Sequence, residues 1–298
     1  MSRHNLLNTA LRLLTVLVAS LVIVMLAGTS PPITPEKISG IDRYLQFDDF
    51  IFCGAQPKNE LALDELKKRG IKTIICVDGT QPQVAAIQER EMNVMHVPLG
   101  YGITTSEQRM QLAAALHLAG HESPIYIHCH HGYHRSGAAA AIASIATGRL
   151  THQQALDRMK RSGTSPAYHG LWKSVRDTKR LELHVIEALK PPPTALPAMG
   201  MVASMLKAEE LMDQLDPAKP EKWEAQDAAQ LADVFRQLQQ NAMIESSPAS
   251  FASQMTHTFE LANALETRLA SKNKHDDLMA IRNRLAMSCQ ACHASHRN

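Results

Sequence analysis

Short apolar runs alternate with helically periodic stretches from Ile41 to about Lys190. Phe50-Ile51-Phe52-Cys53, Thr73-Ile74-Ile75-Cys76-Val77, Val94 to Val97 and Ile125-Tyr126-Ile127-His128 are brief and rich in β-branched and aromatic residues, which predicts strands. Between them, Glu60 to Arg69, Gln81 to Glu91 and Ser106 to Ala119 carry helical patterns. An Ala-rich helix is expected over Ser136 to Thr147, then two more over Thr151 to Arg161 and Gly170 to Leu189. This alternation predicts an α/β domain over residues 36–190, a mostly parallel sheet flanked by helices.

Pro191-Pro192-Pro193 and Pro197 end the pattern, because no helix crosses such a segment and three prolines favour extended geometry. Residues 191–197 therefore read as a linker. Residues 198–298 hold no strand pattern but four amphipathic stripes. Val202, Met205, Leu206 and Met212 mark the first, and Leu231, Val234, Phe235 and Leu238 the second. Met255, Phe259, Ala262, Leu265 and Leu269 mark the third; Leu278, Ile281, Leu285, Cys289, Cys292 and His293 mark the fourth. Four such helices with short connections predict an all-α four-helix bundle.

The N-terminal pattern differs again. Arg3 and Arg12 flank the start of an apolar stretch, and no charge follows from Leu13 to Pro35. Leu13 to Ala27 fits a signal-peptide core, while Leu6 to Gly28 approaches membrane-spanning length. Met25 and Leu26 occupy positions that should be small for cleavage, so residues 1–30 favour an uncleaved anchor, with a cleaved signal as the alternative. The positive flank keeps that end cytoplasmic and sends the rest outward. The expectation is a bacterial periplasmic protein held on the inner membrane by residues 6–28, with Ser30 to Pro35 as a stiff spacer.

Composition narrows the classes further. The chain's 298 residues suffice for two domains of ordinary size. With 31 basic and 29 acidic residues, nothing in the charge favours nucleic acid as a partner. Cys53 and Cys76 lie in apolar runs and read as buried thiols, with a disulfide between them left open.

The chemistry concentrates in His128-Cys129-His130-His131-Gly132-Tyr133-His134-Arg135-Ser136-Gly137. A phosphate monoester dianion needs neutralising, and a helix N-terminus offers unpaired N–H groups and partial positive charge. Arg135 adds a two-pronged donor, and Gly132 lets the loop wrap so that its amides converge. The same field favours a Cys129 thiolate, a nucleophile for phosphorus. Ser136 stands ready to donate to the sulfur when water displaces it. His130, His131, Gly132, Tyr133 and His134 complete the substrate-binding loop. A chance cysteine before an Ala-rich helix is the bland alternative.

Cysteine, five residues, arginine and a hydroxyl resemble the signature of the cysteine-dependent protein tyrosine and dual-specificity phosphatases. Gly54-Ala55-Gln56-Pro57, Gly70-Ile71-Lys72-Thr73-Ile74-Ile75 and His96-Val97-Pro98-Leu99 extend the similarity, which covers roughly Asp42 to Leu183. The resemblance implies Cys129 as nucleophile, Arg135 on phosphate, Ser136 assisting breakdown of the intermediate, and His128 supporting the loop. It also implies an aspartate general acid on the loop after Pro98, yet Leu99 to Thr105 has none, and no aspartate occurs between Asp78 and Asp157. Loss of such a donor typically costs about 10²–10⁴-fold in rate. A loop histidine (His130, His131 or His134), Glu107 on the next helix, or a domain that binds without efficient turnover are the three readings. A metal site built from the histidines is disfavoured, since a metal would compete with the anion for the loop.

Cys289-Gln290-Ala291-Cys292-His293 is the CxxCH pattern of covalent haem attachment. Cys289 and Cys292 suit thioethers to the haem vinyl groups, and His293 suits the iron. A redox CxxC pair, or zinc with His275 and His296, is the competing reading. Placed on the last helix of a bundle and followed by Arg297, the motif resembles the cytochrome c-prime family over about Met199 to Asn298. That resemblance implies a haem that is either five-coordinate and gas-binding or six-coordinate through a first-helix methionine (Met199, Met201 or Met205), and, by analogy, a homodimer.

The expected whole is a periplasmic phosphatase acting on a phosphorylated substrate through a Cys129 thiophosphate, joined to a haem domain that senses redox state or gas. The alternatives are an electron-transfer or gas-binding cytochrome whose first part only binds an anionic partner, and a thiol-based redox protein.

Overall fold

The computed structural model describes residues 34–120, 122–240, 248–271 and 277–296. The expected anchor or signal, residues 1–30, lies outside the described residues; among those described, no helix is long and apolar enough to cross a membrane. Pro35 to Asn298 forms one compact unit.

Six strands make one sheet: β1 (Glu36–Ile38), β2 (Ile41–Gln46), β3 (Ile51–Ala55), β4 (Thr73–Cys76), β5 (Asn93–His96) and β6 (Ile125–Cys129), in the order β1-β2-β3-β6-β4-β5. The β3, β6, β4 and β5 neighbours are parallel, whereas β1, β2 and β3 meander antiparallel. The sheet is thus mixed, and the antiparallel edge is what the apolar runs did not mark. Asp42, Arg43 and Gln46 interrupt β2, which is half solvent-facing. β4 and β6 are buried at every residue, as strands covered on both faces must be.

Helices α1 (Glu60–Lys68), α2 (Val84–Gln88) and α3 (Ser106–Leu118) connect the strands, and α4 (Arg135–Ala146) leaves β6. Every residue of α4 is buried, which explains its alanines: small side chains let the sheet and neighbouring helices close around it. α5 (His152–Arg161), α6 (His169–Asp177) and α7 (Leu183–Glu187) follow. The single helix expected over Gly170 to Leu189 is therefore broken. Thr178 turns extended and passes its hydroxyl back to Ser174 O, so the chain leaves the helix there.

The proline segment holds no helix, and it is bound to the sheet. His96 N donates to Pro193 O at 2.8 Å, Leu196 N donates to His96 Nδ1 at 3.0 Å, and Gln81 Nε2 donates to Leu196 O at 2.7 Å. Beyond it lie α8 (Met201–Gln214), α9 (Ala225–Gln240), α10 (Ala249–Ala270) and α11 (Leu278–His296), with no strand among the described residues. They pack in chain order. Leu231, Val234, Phe235 and Leu238 of α9 and Met255, Ala262, Leu265 and Leu269 of α10 are buried as their periodicity predicts.

The first stripe is corrected. α8 buries Ser204, Ala208 and Leu211, one helical face of mostly small residues that permits close approach, while Val202 and Leu206 are 75% and 63% exposed. On α11 only Leu285, Ser288 and Cys292 are buried; of the expected stripe, Leu278, Ile281 and Cys289 are half-covered and His293 is exposed. α9, by contrast, buries ten residues, because it packs on its helical neighbours and on the sheet domain together. α9 comes close to the sheet domain here: a Cβ on Gly79 would displace the amide end of Gln237, and one on Gly100 would touch that of Gln230.

Candidate active site

The parallel strands β3, β6 and β4 carry Ala55, Cys129 and, two residues beyond its end, Asp78 at their carboxyl ends, the edge where α/β sheets bind ligands. Cys129 closes β6 and Arg135 opens α4, so the intervening loop lies against a helix N-terminus. Gly132 holds φ +74, and a Cβ there would run into Ala55 N and Gly54 C of β3. Only glycine satisfies both the backbone angle and the space.

The loop's carbonyls are engaged on its outer side. Gln56 N donates to His130 O at 3.1 Å, Arg43 Nε to Gly132 O at 3.1 Å, and Thr164 Oγ1 to Tyr133 O at 3.1 Å. Arg43 also donates through Nη2 to Ser162 O and lies over the Tyr133 ring. The backbone N–H groups of His130 to His134 donate to no acceptor among the described residues. Successive free amides beside a helix N-terminus are the elements of an anion nest.

Cys129 is 3% exposed, with Sγ 3.7 Å from Ser136 Oγ. It lies in the wall of a cavity of about 360 Å³ together with Tyr101, His131, Tyr133, His134 and Tyr168. Asn263, Glu266 and Thr267 of α10 form the facing wall. Of the predicted loop residues, His131, Tyr133 and His134 thus face the cavity. His130 turns to Gln56 Oε1 at 3.4 Å, and Gly132 contributes backbone alone. Glu107 is exposed on the first turn of α3 and is not in the cavity wall.

Burial pushes the imidazoles down. It lowers His128 to about 4; it lowers His134 to about 3, aided by Arg135, and His130 to about 3, aided by Arg236. All three are neutral near pH 7, which makes them poor proton donors.

Arg135 is buried and does not stand alone. Its Nη1 lies 2.5 Å from Asp233 Oδ2 and 3.3 Å from Asp78 Oδ1, and its Nη2 lies 3.3 Å from Asp233 Oδ1. Arg236 closes the ring, reaching Asp78 Oδ1 at 2.5 Å and Asp233 Oδ1 at 2.7 Å. Two cations and two anions balance. Burial alone would raise the Asp78 carboxyl, but Arg135 and Arg236 outweigh it and hold it well below the usual range. Arg135 Nε is buried and has no partner among the described residues, so one guanidinium donor is left unspent. His96 ties this ring to the proline segment. Its Nδ1 accepts from Leu196 N, so its Nε2 carries the hydrogen and donates to Asp78 O at 2.8 Å.

Asp78, Asp233, Arg236, Arg43, Tyr168 and Glu266 carry no local sequence signal for this site. Asp233 and Arg236, three residues apart on α9, have the spacing common to ion pairs on any helix, which marks no site.

On α11, Cys289 and Cys292 are free thiols one turn apart, the first half-buried and the second 5% exposed. His293 is exposed and its imidazole has no partner among the described residues. Cys53, Cys76 and Cys129 are also free, so no disulfide joins Cys53 to Cys76. Two unpaired thiols at i and i+3 with an unengaged histidine next in sequence fit the donor set of a covalent haem.

Residues 47–183, a little under half of the chain, match the family described as PTP-SAK, Swiss Army Knife protein, DSP-PTPase phosphatase domain. Among solved structures, P. aeruginosa TpbA is 21% identical over 49% of this chain and 91% of its own, with a TM-score of 0.42. Human DUSP28 is 16% identical over 51% of this chain and 95% of its own, at 0.38. Tk-PTP in its active form is 17% identical over 44% and 94%, at 0.37. No curated protein matches the chain. The family match, laid over the loop from Cys129 to Ser136, makes residues 47–183 a cysteine phosphatase-like domain.

Proposed function

We propose that this protein hydrolyses phosphate monoesters through Cys129. The observation that carries this reading is the anion nest: free amides from His130 to His134 and an unpartnered Arg135 Nε at the start of α4, in a loop whose Cys129 lies in a cavity wall. The amides and Arg135 hold the phosphoryl oxygens and stabilise the charge that builds on them in the transition state. The Cys129 thiolate attacks phosphorus, an S–P bond forms, and the ester P–O bond breaks. Water then attacks the thiophosphate, the S–P bond breaks, and the Ser136 hydroxyl stabilises the departing thiolate. Phosphate leaves and the thiolate is restored.

Cys289, Cys292 and His293 would hold a covalent haem, which supplies an iron able to exchange one electron or bind a diatomic gas. The apolar N-terminal stretch with its flanking Arg3 and Arg12 supports a site of action outside a bacterial inner membrane.

The test is pre-steady-state release of phenol from an aryl phosphate by the full chain, beside Cys129→Ser. A burst matching the enzyme concentration, absent in the variant, is expected. No Cys129-dependent release would leave the chain as an electron-transfer or gas-binding cytochrome whose phosphatase-like part docks an anion.

A further inference from the structure

The loop Leu99 to Thr105 supplies no carboxylic acid, and its one cavity residue is Tyr101, whose ring packs 4.4 Å from the Arg135 guanidinium carbon. Yet the cavity that holds Cys129 does contain a carboxyl. Glu266 of α10 is 8% exposed, lies in the same wall as Asn263 and Thr267, and faces the nucleophile's cavity from the helical part of the chain. Asp78 and Asp233, the other acidic residues nearby, are both bound to Arg135 and Arg236 and are not in the cavity wall.

We infer that Glu266 is the general acid of the hydrolysis, so that the helical part completes the active site of the phosphatase-like domain. This rests on the Cys129 reading above. Glu266 donates its proton to the ester oxygen as the P–O bond breaks, and the alcohol leaves neutral. The resulting carboxylate then takes a proton from the water that attacks the thiophosphate, which regenerates the acid as the thiolate departs.

Local contacts suit that role. Tyr168 Oη donates to Glu266 Oε1 at 2.6 Å, which fixes the carboxyl, while Oε2 takes no hydrogen bond among the described residues. Tyr168 is itself held between Tyr101 and His134, ring centroids 5.2 and 4.0 Å away. Burial pushes Glu266 up to about 7; the Tyr168 hydrogen bond pulls it down, the Asp233 charge raises it, and Arg135 and Arg236 lower it. A donor poised near the operating pH is the most effective kind. The other titratable groups of the cavity serve less well. His134 is neutral, burial lowers His131, and burial puts Tyr101 and Tyr168 far above neutrality.

The experiment compares Glu266→Gln with the wild-type full chain on two substrates, phenyl phosphate and 2,4-dinitrophenyl phosphate, each from pH 5 to 9. Glutamine keeps an acceptor for Tyr168 and removes the proton. The expected result is a loss of about 10²–10⁴-fold in kcat/KM on phenyl phosphate, whose leaving group needs a proton. On the dinitrophenyl ester, whose phenolate departs unaided, the loss is less than about tenfold. The alkaline limb near pH 7 disappears in the variant. Because both rates come from one sample, their ratio does not depend on the folded fraction. Equal losses on the two esters, or an alkaline limb that survives, overturn the assignment while leaving the Cys129 reading intact. Absence of Cys129-dependent release from the wild type overturns that reading instead, and the assignment with it.

Discussion

Arg135 Nη1 donates to Asp233 Oδ2 at 2.5 Å, so the arginine that follows the phosphate loop is held by a helix 98 residues further along the chain. Both groups lie out of water, at 1% and 12% side-chain exposure. Desolvating them costs several kcal/mol apiece, and only the closed ring with Asp78 and Arg236 offsets it. Asp233→Ala leaves two buried guanidinium groups with one carboxylate between them. Breaking a buried pair this way costs about 3–5 kcal/mol. Urea denaturation at neutral pH measures it, and a change under about 1 kcal/mol would show that the ring does not hold the two parts of the chain together.

What was legible in the sequence was what is local. Cys129, Gly132, Arg135 and Ser136 fall within eight consecutive residues, where connectivity keeps them near one another, so spacing identifies them. The buried runs of β4 and β6 and the stripes of α9 and α10 were equally plain. Asp78, Asp233 and Glu266 were not, because they meet the loop only through tertiary packing and no period marks a carboxylate as turned inward. β2 hid behind Asp42 and Arg43, although Arg43 is there to hold the loop carbonyl of Gly132. Val202 and Leu206 misled for the opposite reason: α8 packs through Ser204 and Ala208, where small size counts more than hydrophobicity.

Gly132→Ala tests the loop itself. The residue sits at φ +74, where a Cβ would be strained and would meet the β3 backbone. Strain of this kind costs about 1–3 kcal/mol before any collision is counted. The expected outcome is a lowered unfolding midpoint together with loss of inorganic phosphate binding, measured by calorimetry. Unchanged phosphate affinity would show that the loop amides are not the anion site.

Ser136→Ala separates the two chemical steps. The serine oxygen lies 3.7 Å from Cys129 Sγ and is fully buried, placed to donate to the sulfur as it leaves phosphorus. A hydrogen bond to a charged group is worth about 1.5–3 kcal/mol, or about 10–100-fold in the step that needs it. The burst therefore survives while steady turnover falls by that factor, and thiophosphate accumulates, seen by intact-protein mass spectrometry after acid quench. A burst that falls in parallel with turnover counts against the role.

Acid should weaken the fold. His128 titrates near 4 and His130 and His134 near 3 in the folded chain, all below the ordinary 6.5, mainly because they are buried. Between those values the unfolded chain binds protons that the folded chain refuses, so stability rises with pH there. Their contribution is complete above pH 6.5 and is lost as pH falls toward 4 and 3. Glu266 acts in the other direction: raised from 4.5 to about 7, it favours the folded state at low pH and loses that contribution as pH rises to 7. Three histidines outweigh one carboxyl. The urea midpoint should therefore be lower at pH 5 than at pH 7, and a higher one would mean the imidazoles are not buried neutral.

The haem reading stands on three side chains with different jobs, which makes it separable by variant. Cys289 and Cys292 are free and lie one helical turn apart, and would carry the covalent bonds; His293 follows with an unengaged imidazole and would bind the iron. In the full chain made with haem-attachment machinery, acid–acetone should leave haem on the wild type and extract it fully from the Cys289→Ala, Cys292→Ala double variant. His293→Ala should retain covalent haem, because both thioethers remain, yet show a shifted Soret band, because the iron has lost its imidazole. A double variant that still holds haem through acid–acetone, or a His293→Ala spectrum identical to wild type, would separate α11 from haem binding and return Cys289 and Cys292 to the role of a plain thiol pair.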